Sequence, residues 1–269
     1  MVLPNLRACR GIITGSAKYT RAMPTKAQLK AVRDLQHRKE RTVQGRFLVQ
    51  GPKLVAELLG SALHTEVVYA TEEAAAEMHL PDAVLLPVHE LERIGTLESG
   101  NSVVAVARMP LRDPIVGLAE DELVIALDGI GDPGNLGTVL RIADWFGVRR
   151  VLCSSHSVDA FGPKCVQASM GAIFRVEVHY AELAARLADL RSSGAALQVA
   201  SMEGRSVFHA SLARPAVLVL GSESHGVSDA VRALGGELIS VPRIGGAESL
   251  NVAMAAAALC MEYTRQDLG

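Results

Sequence analysis

Aromatic residues are scarce in this sequence, at 4% of its 269 positions. Its core must therefore be filled by aliphatic side chains. Cysteine is also rare. Cys9, Cys153, Cys165 and Cys260 lie far apart, with no CxxC pair and no Cys/His cluster at metal spacing. That pattern argues against a disulfide scaffold and a zinc site, so no metal is expected. It fits a reduced, cytoplasmic setting in which the thiols only pack. No run of eighteen apolar residues occurs, so no membrane span is expected. The first twenty-two residues lack an apolar signal-peptide core. They also lack a helix or strand period and are expected to be a disordered extension, residues 1–22, with Met23 as a candidate native start. Neither internal repeats nor low-complexity segments are present.

The rest of the composition is ordinary for a globular protein, 49% hydrophobic and 21% charged. The length suits one large domain or two smaller ones. The net charge of −2 conceals an asymmetry. Residues 1–53 hold twelve Lys or Arg against two acids, Asp34 and Glu40, whereas the remainder is acidic. A basic end on an acidic body points to an anionic partner at the N-terminal side.

Thr25 to Gln28 reads as a capping box ahead of a helix running to about Thr42–Gly45. Short strands and helices then alternate as far as Ala107, a compact α/β unit assigned to residues 23–110. Two prolines in Met109–Pro114 mark a linker. Beyond it, strands are expected at 123–127, 150–153, 175–178, 197–200, 216–220 and 238–241. Helices at 136–146, 181–191 and 227–234 fall between them. Strand–helix alternation predicts an α/β fold with a parallel sheet covered on both faces, here over residues 115–269.

Two glycine-rich turns stand out. In the first, Gly129, Gly131 and Gly134 satisfy G-x-G-x-x-G between a strand and a helix, a pattern shared with nicotinamide-dependent oxidoreductases. Pro133 interrupts that turn, and the next strand ends in Ser154-Ser155-His156, where a ribose-binding acid is required. In the second, the strand Leu238–Val241 stops at Pro242, Gly245-Gly246 turns the chain, and Ser249 is read as opening a helix rich in alanine. A strand, a tight turn and a helix start present backbone amides to a ligand.

Three blocks in order carry a more specific signal: DPGNLGTVLRIADWFG (132–147), LVLGSESHGVS (218–228) and ISVPRIGGAESLNVAMAAAALCMEY (239–263). Together they resemble the signature motifs of the SpoU-type (TrmH-like) branch of the SPOUT RNA methyltransferases. The segment GRFLVQGPKLVAELL (45–59) is similar to that family's L30e-like substrate-binding domain. The resemblance implies a trefoil knot in the C-terminal domain, a homodimer, S-adenosyl-L-methionine as cofactor, and transfer of its methyl group to a ribose 2′-hydroxyl of RNA. Ribosomal RNA is the expected target and transfer RNA the alternative. A non-catalytic RNA-binding homologue and an NAD-dependent oxidoreductase are competing readings.

Carried onto this sequence, the resemblance implies cofactor contacts at Gly221, Val241, Leu250 and Asn251. It implies catalytic roles for Arg141, Asn135, Glu223 and Ser249. An arginine stays protonated in proteins, so Arg141 suits phosphate binding and stabilisation of alkoxide charge better than general-base work. The structural alternative for Arg141 is an i, i+3 pair with Asp144. Ser249 is also read as the cap of the last helix. Family members commonly have glycine after the acid of the second block, whereas this chain has Ser224. Lys30, Arg33 and Arg38 are the candidate RNA-binding cations.

Overall fold

The computed structural model describes residues 23–97 and 101–268. The expected disorder of residues 1–22 lies outside these residues. In chain order the first unit comprises α1 (Lys26–Asp34), α2 (Arg38–Gln44), β1 (Arg46–Gln50), α3 (Pro52–Leu59), β2 (Thr65–Ala70), α4 (Glu72–Glu77), β3 (Val84–Leu85), α5 (Val88–Ile94) and β4 (Val103–Arg108). Its sheet runs β1-β4-β2-β3, with β4 antiparallel to both neighbours and β2 parallel to β3.

The capping box at the start of α1 is formed. Gln28 N donates to Thr25 Oγ1 at 3.2 Å, and Thr25 N donates to Gln28 Oε1 at 2.8 Å. The single long helix expected after it is in fact two. The Arg41 guanidinium takes the carbonyls of Leu35 and Gln36, both at 2.8 Å. An unbroken helix needs those carbonyls for its own i→i−4 bonds, so the chain extends at His37 and restarts.

Alternation along β1 and β4 builds two faces. Leu48, Val104 and Val106 join Val32, Leu35, Leu91 and Ile94 in a small core beneath α1 and α5. Phe47, Val49, Val103 and Ala105 point the other way, into a core shared with the second unit. The Phe47 ring lies 4.9 Å from that of Phe161, centroid to centroid.

The second unit comprises β5 (Leu123–Asp128), α6 (Pro133–Trp145), β6 (Arg150–Ser154), α7 (Pro163–Ser169), β7 (Glu177–Ala181), α8 (Leu183–Ser192), β8 (Ala196–Ser206), β9 (Ala216–Gly221), α9 (Asp229–Arg232), β10 (Glu237–Ser240) and α10 (Val252–Leu268). The sheet order is β10-β8-β9-β5-β6-β7, all parallel. The central strands β5 and β9 are apolar throughout their buried length, as a sheet covered on both faces requires. One expected strand is displaced: Ala172–Phe174 forms a 3-10 turn, so β7 starts at Glu177 rather than Arg175.

Small residues set the helix spacing. A Cβ added to Gly137 on α6 would lie 2.5 Å from Ala168 Cβ of α7. Ala253 and Ala256 are buried where α10 packs on α6. The units are also joined by charge: Arg41, 4% exposed, donates to Asp159 of the second unit from Nε at 2.9 Å and Nη2 at 2.5 Å. Among the described residues, no helix is long and apolar enough to cross a membrane.

Candidate active site

The carboxyl ends of β8, β9 and β10 and the loop before α10 enclose a cavity of about 560 Å³. Ligands of open α/β sheets characteristically bind at this end of the strands. Leu220, Ile239, Val241 and Val252 supply apolar walls, while Ser222, Arg232 and Arg243 supply polar ones. Gly221, Glu223, Val241, Ser249 and Leu250, all singled out in the sequence, line this one space. Leu250 is half exposed and Val241 partly buried, so neither is a plain core residue.

Gly221 is needed for a reason the sequence did not give. A Cβ there would fall 2.0 Å from the Gly226 carbonyl carbon. The loop Ser222–Gly226 folds back over β9, with Ser222 N donating to Gly226 O at 3.1 Å and Gly226 N to Ser222 O at 2.8 Å. The missing side chain makes room for this loop, and the loop carries Glu223.

At the cavity rim, three side chains from three separate blocks meet. Asn135 Nδ2 donates to Glu223 Oε1 at 3.1 Å. Asn251 Nδ2 donates to the same oxygen at 2.5 Å and to Asn135 Oδ1 at 2.9 Å. Asn251 Oδ1 accepts from Ala253 N at 2.9 Å, and Asn251 O accepts from Ala255 N at 2.9 Å. Asn251 is therefore the cap of α10, and the helix begins at Val252 rather than at Ser249. The cap assigned to Ser249 is corrected accordingly; Ser249 instead lies in the exposed loop lining the cavity. Asn251, read as a cofactor contact, here braces Asn135 and Glu223. An asparagine ahead of the alanine-rich run was the available signal for its capping role.

Arg141 does not line this cavity. It stands on the exposed side of α6, six residues past Asn135 and hence turned away from it by about 120°. Among the described residues, no carboxylate engages it. The partner in the structural alternative, Asp144, instead accepts two bonds from Arg175 Nε, at 3.1 and 3.0 Å, and one from Arg175 Nη2 at 2.8 Å.

The G-x-G-x-x-G turn spends several of its amides inside the chain. Gly129 N donates to Ser154 Oγ at 2.9 Å, Ile130 N to Ser157 Oγ at 3.2 Å, and Asn135 N to the α6 cap Asp132 at 2.8 Å. Three amides at this turn are therefore already bonded within the chain. Cys153, Cys165 and Cys260 are buried and inert as well: burial pushes the Cys153 and Cys260 thiols up to about 12 and raises that of Cys165.

Lys30, Arg33 and Arg38 are all exposed. Lys30 lies 3.7 Å from Asp34, and Arg38 lines a separate cleft between the units.

A covered parallel sheet with a loop-walled, largely apolar cavity at its carboxyl end, braced by an amide–carboxylate network, defines an α/β ligand-binding enzyme fold. Comparison with known proteins makes the class specific. Residues 122–261 match the SpoU rRNA Methylase family, and residues 26–108 match the MRM3-like substrate binding domain. The chain belongs to the SpoU rRNA methylase family. It is 29% identical to the 23S rRNA (guanosine(2553)-2′-O)-methyltransferase RlmP of Bacillus subtilis, over 86% of this chain and 94% of that protein. It is likewise 29% identical to the 23S rRNA (uridine(2479)-2′-O)-methyltransferase of Streptomyces viridochromogenes, over 86% and 87%. A TrmH-family structure from Porphyromonas gingivalis superposes with a TM-score of 0.83 at 40% identity, over 91% of this chain and all of that one. The SpoU methyltransferase AviRb from S. viridochromogenes, solved in complex with AdoMet, gives 0.82 at 27% identity, over 91% and 99%.

Proposed function

We propose that this chain is an S-adenosylmethionine-dependent ribosomal RNA methyltransferase that modifies a ribose 2′-hydroxyl. The observation that carries the reading is the convergence of Gly221, Glu223, Val241, Ser249 and Leu250 on one cavity, with Asn135 and Asn251 tied to Glu223 at its rim. The donor set fits the cofactor. Apolar walls suit adenine, the backbone of 241–250 is exposed for hydrogen bonding, and the space falls within the usual size of small-molecule sites.

When bound, the cofactor supplies an electrophilic methyl group on a sulfonium sulfur. That group would allow the ribose hydroxyl to exchange its proton, passed to solvent, for the methyl, with S-adenosylhomocysteine as the leaving product. The chain's own task is to hold the two partners in line. Val241 and Leu250 close the cavity on the cofactor. The Asn135–Glu223–Asn251 network fixes the rim, with Ser249 at the reacting edge. Arg141 remains a cation and stabilises negative charge on the ribose oxygen and its flanking phosphate.

Arg141 reaches a reacting centre from a second subunit, and the chain works as a homodimer. Met254, Met261 and Leu268 form an exposed stripe at seven-residue spacing on α10, and exposed Trp145 follows Arg141 by one turn on the packed helix α6. A large uncovered apolar face of this kind suits a subunit interface. The last helix is read as the threaded segment of a trefoil knot, for which its small side chains leave room. Residues 23–110 form the RNA-docking domain, 115–269 the transferase domain, and the enzyme acts in the cytoplasm.

Ribosomal RNA is favoured over transfer RNA because the two rRNA enzymes match through the first unit as well. A structure concerned with methylation of C/U34 on tRNA covers only 56% of this chain. The test is a map of ribose methylation in total RNA with and without the gene. A ribosomal position should lose its methyl group and regain it on incubation with purified protein and cofactor. Identical maps would overturn the reading.

A further inference from the structure

A second cleft opens where the two units meet, of about 380 Å³. It lies along β6 and β7, at the opposite edge of the six-stranded sheet from the cavity at β8, β9 and β10. Arg38 on α2, Arg112 in the connecting segment and Arg186 on α8 border it, with Tyr180 on one face of the edge strand β7 and His179 on the other. Three arginines brought together from separate elements give the cleft a cationic rim. Arg112 is partly neutralised by Glu177 at 2.9 Å, and Arg186 lies 3.3 Å from the exposed Asp189. Arg38 has no carboxylate partner among the described residues. Asp159 also borders the cleft but is committed to Arg41.

The wall is equally particular. The Tyr180 hydroxyl donates to Val158 O at 2.6 Å and accepts from Ala160 N at 2.8 Å. Its partly exposed ring is thereby held as a fixed flat surface. His179 is 9% exposed, yet its Nε2 makes no hydrogen bond among the described residues. A Glu177 oxygen lies 3.4 Å away, but not in hydrogen-bonding geometry. Burial also holds the imidazole below the usual histidine range, with Glu177 opposing only in part.

These features match the chemistry of a single nucleotide. Arginine forks suit phosphate, and an aromatic face suits an unstacked base. We propose that this cleft binds one unstacked nucleotide of the RNA substrate, remote from the methylated one. Arg38 and Arg186 hold its phosphate, and Tyr180 supports its base. The inference rests on the RNA reading above.

The test compares the double variant Arg38→Glu/Arg186→Glu with Arg191→Glu. Arg191 is an exposed cation on the same helix as Arg186 but outside the cleft. With unmodified ribosomal RNA as substrate, the double variant should raise KM for RNA at least tenfold, well beyond any fall in kcat. It should bind S-adenosylhomocysteine as the parent does, and Arg191→Glu should change KM less than twofold. Irradiation of the parent with 4-thiouridine-substituted ribosomal RNA should cross-link the peptide containing His179 and Tyr180. That measurement decides the matter if the double variant does not fold. A KM shift no greater than that of Arg191→Glu, or cross-links absent from that peptide, overturns the cleft assignment. A parent protein that methylates no ribosomal RNA overturns the parent reading instead.

Discussion

Asn251 donates one hydrogen bond to Glu223 at 2.5 Å and another to Asn135 at 2.9 Å while its oxygen caps α10. One side chain thus ties a helix start to two residues 28 and 116 positions away. The two duties can be separated. Asn251→Ala should lower stability by about 1 kcal/mol through the lost cap. Asn251→Ser keeps a capping oxygen and should melt near the parent temperature. Both should lose about ten- to a hundredfold in kcat, because each removes hydrogen bonds to a carboxylate worth about 1.5–3 kcal/mol. A Ser variant with parental kcat would show that the network only caps.

Among the described residues, the Arg141 side chain makes no hydrogen bond or ion pair, so its contribution should be visible in mixtures. Arg141→Ala is expected to reduce kcat by about a hundredfold or more, with S-adenosylhomocysteine affinity unchanged by titration calorimetry. Leu250→Arg, which fills the cavity, should abolish cofactor binding. Co-refolded, the two inactive variants should regain activity, since one mixed dimer site has an intact cavity and an intact Arg141. If the mixture stays inactive, Arg141 acts within its own subunit.

The Arg41–Asp159 pair should matter far more than its surface counterparts. Arg41 is 4% exposed and Asp159 13%. Removing one member of a buried pair strands the other, at a cost of about 3–5 kcal/mol. Arg93, 68% exposed and paired with Glu90 at 2.9 Å, serves as the comparison. Urea unfolding should place Arg41→Ala in the higher range and Arg93→Ala below about 1 kcal/mol. Equal losses would mean that the junction contributes little.

His179 sets a pH dependence of stability. Its folded pKa is depressed by burial, so the unfolded chain binds more protons below the ordinary histidine value of about 6.5. Its contribution is complete above that value and is lost as pH falls toward the folded pKa. The melting temperature should drop as pH falls below the ordinary histidine value of about 6.5, and His179→Gln should flatten part of that drop. An unchanged slope in the variant would assign the acid sensitivity elsewhere.

Local periodicity carried much of this fold. The strand and helix order of the second unit, the capping box at Thr25 and the covered parallel sheet were all legible in it, because neighbouring residues decide them. The break at Leu35–His37 was not, because it depends on where the Arg41 side chain folds back. The end of α10 was misplaced because two serviceable caps, Ser249 and Asn251, lie two residues apart and only the tertiary bonds choose between them. Gly221, Glu223, Val241, Ser249 and Leu250 gathered at one cavity, with Asn135 and Asn251 bonded to Glu223 at its rim, whereas Arg141 stands apart. The charge pairing of Arg41 with Asp159 spans 118 positions, and no local pattern announces it.

The core that runs unbroken from Phe47 and Val49 into the second unit gives the protein a fixed gauge. A flexible tether would let the basic surface of α1 and α2 and the cavity at β9 search independently for their targets. Here the shared packing and the buried ion pair hold them at one separation. On the proposed reading, selection of the RNA is then metric as well as chemical. A helix lengthened by a few base pairs between the docked segment and the target ribose would present every correct group at the wrong distance and go unmodified.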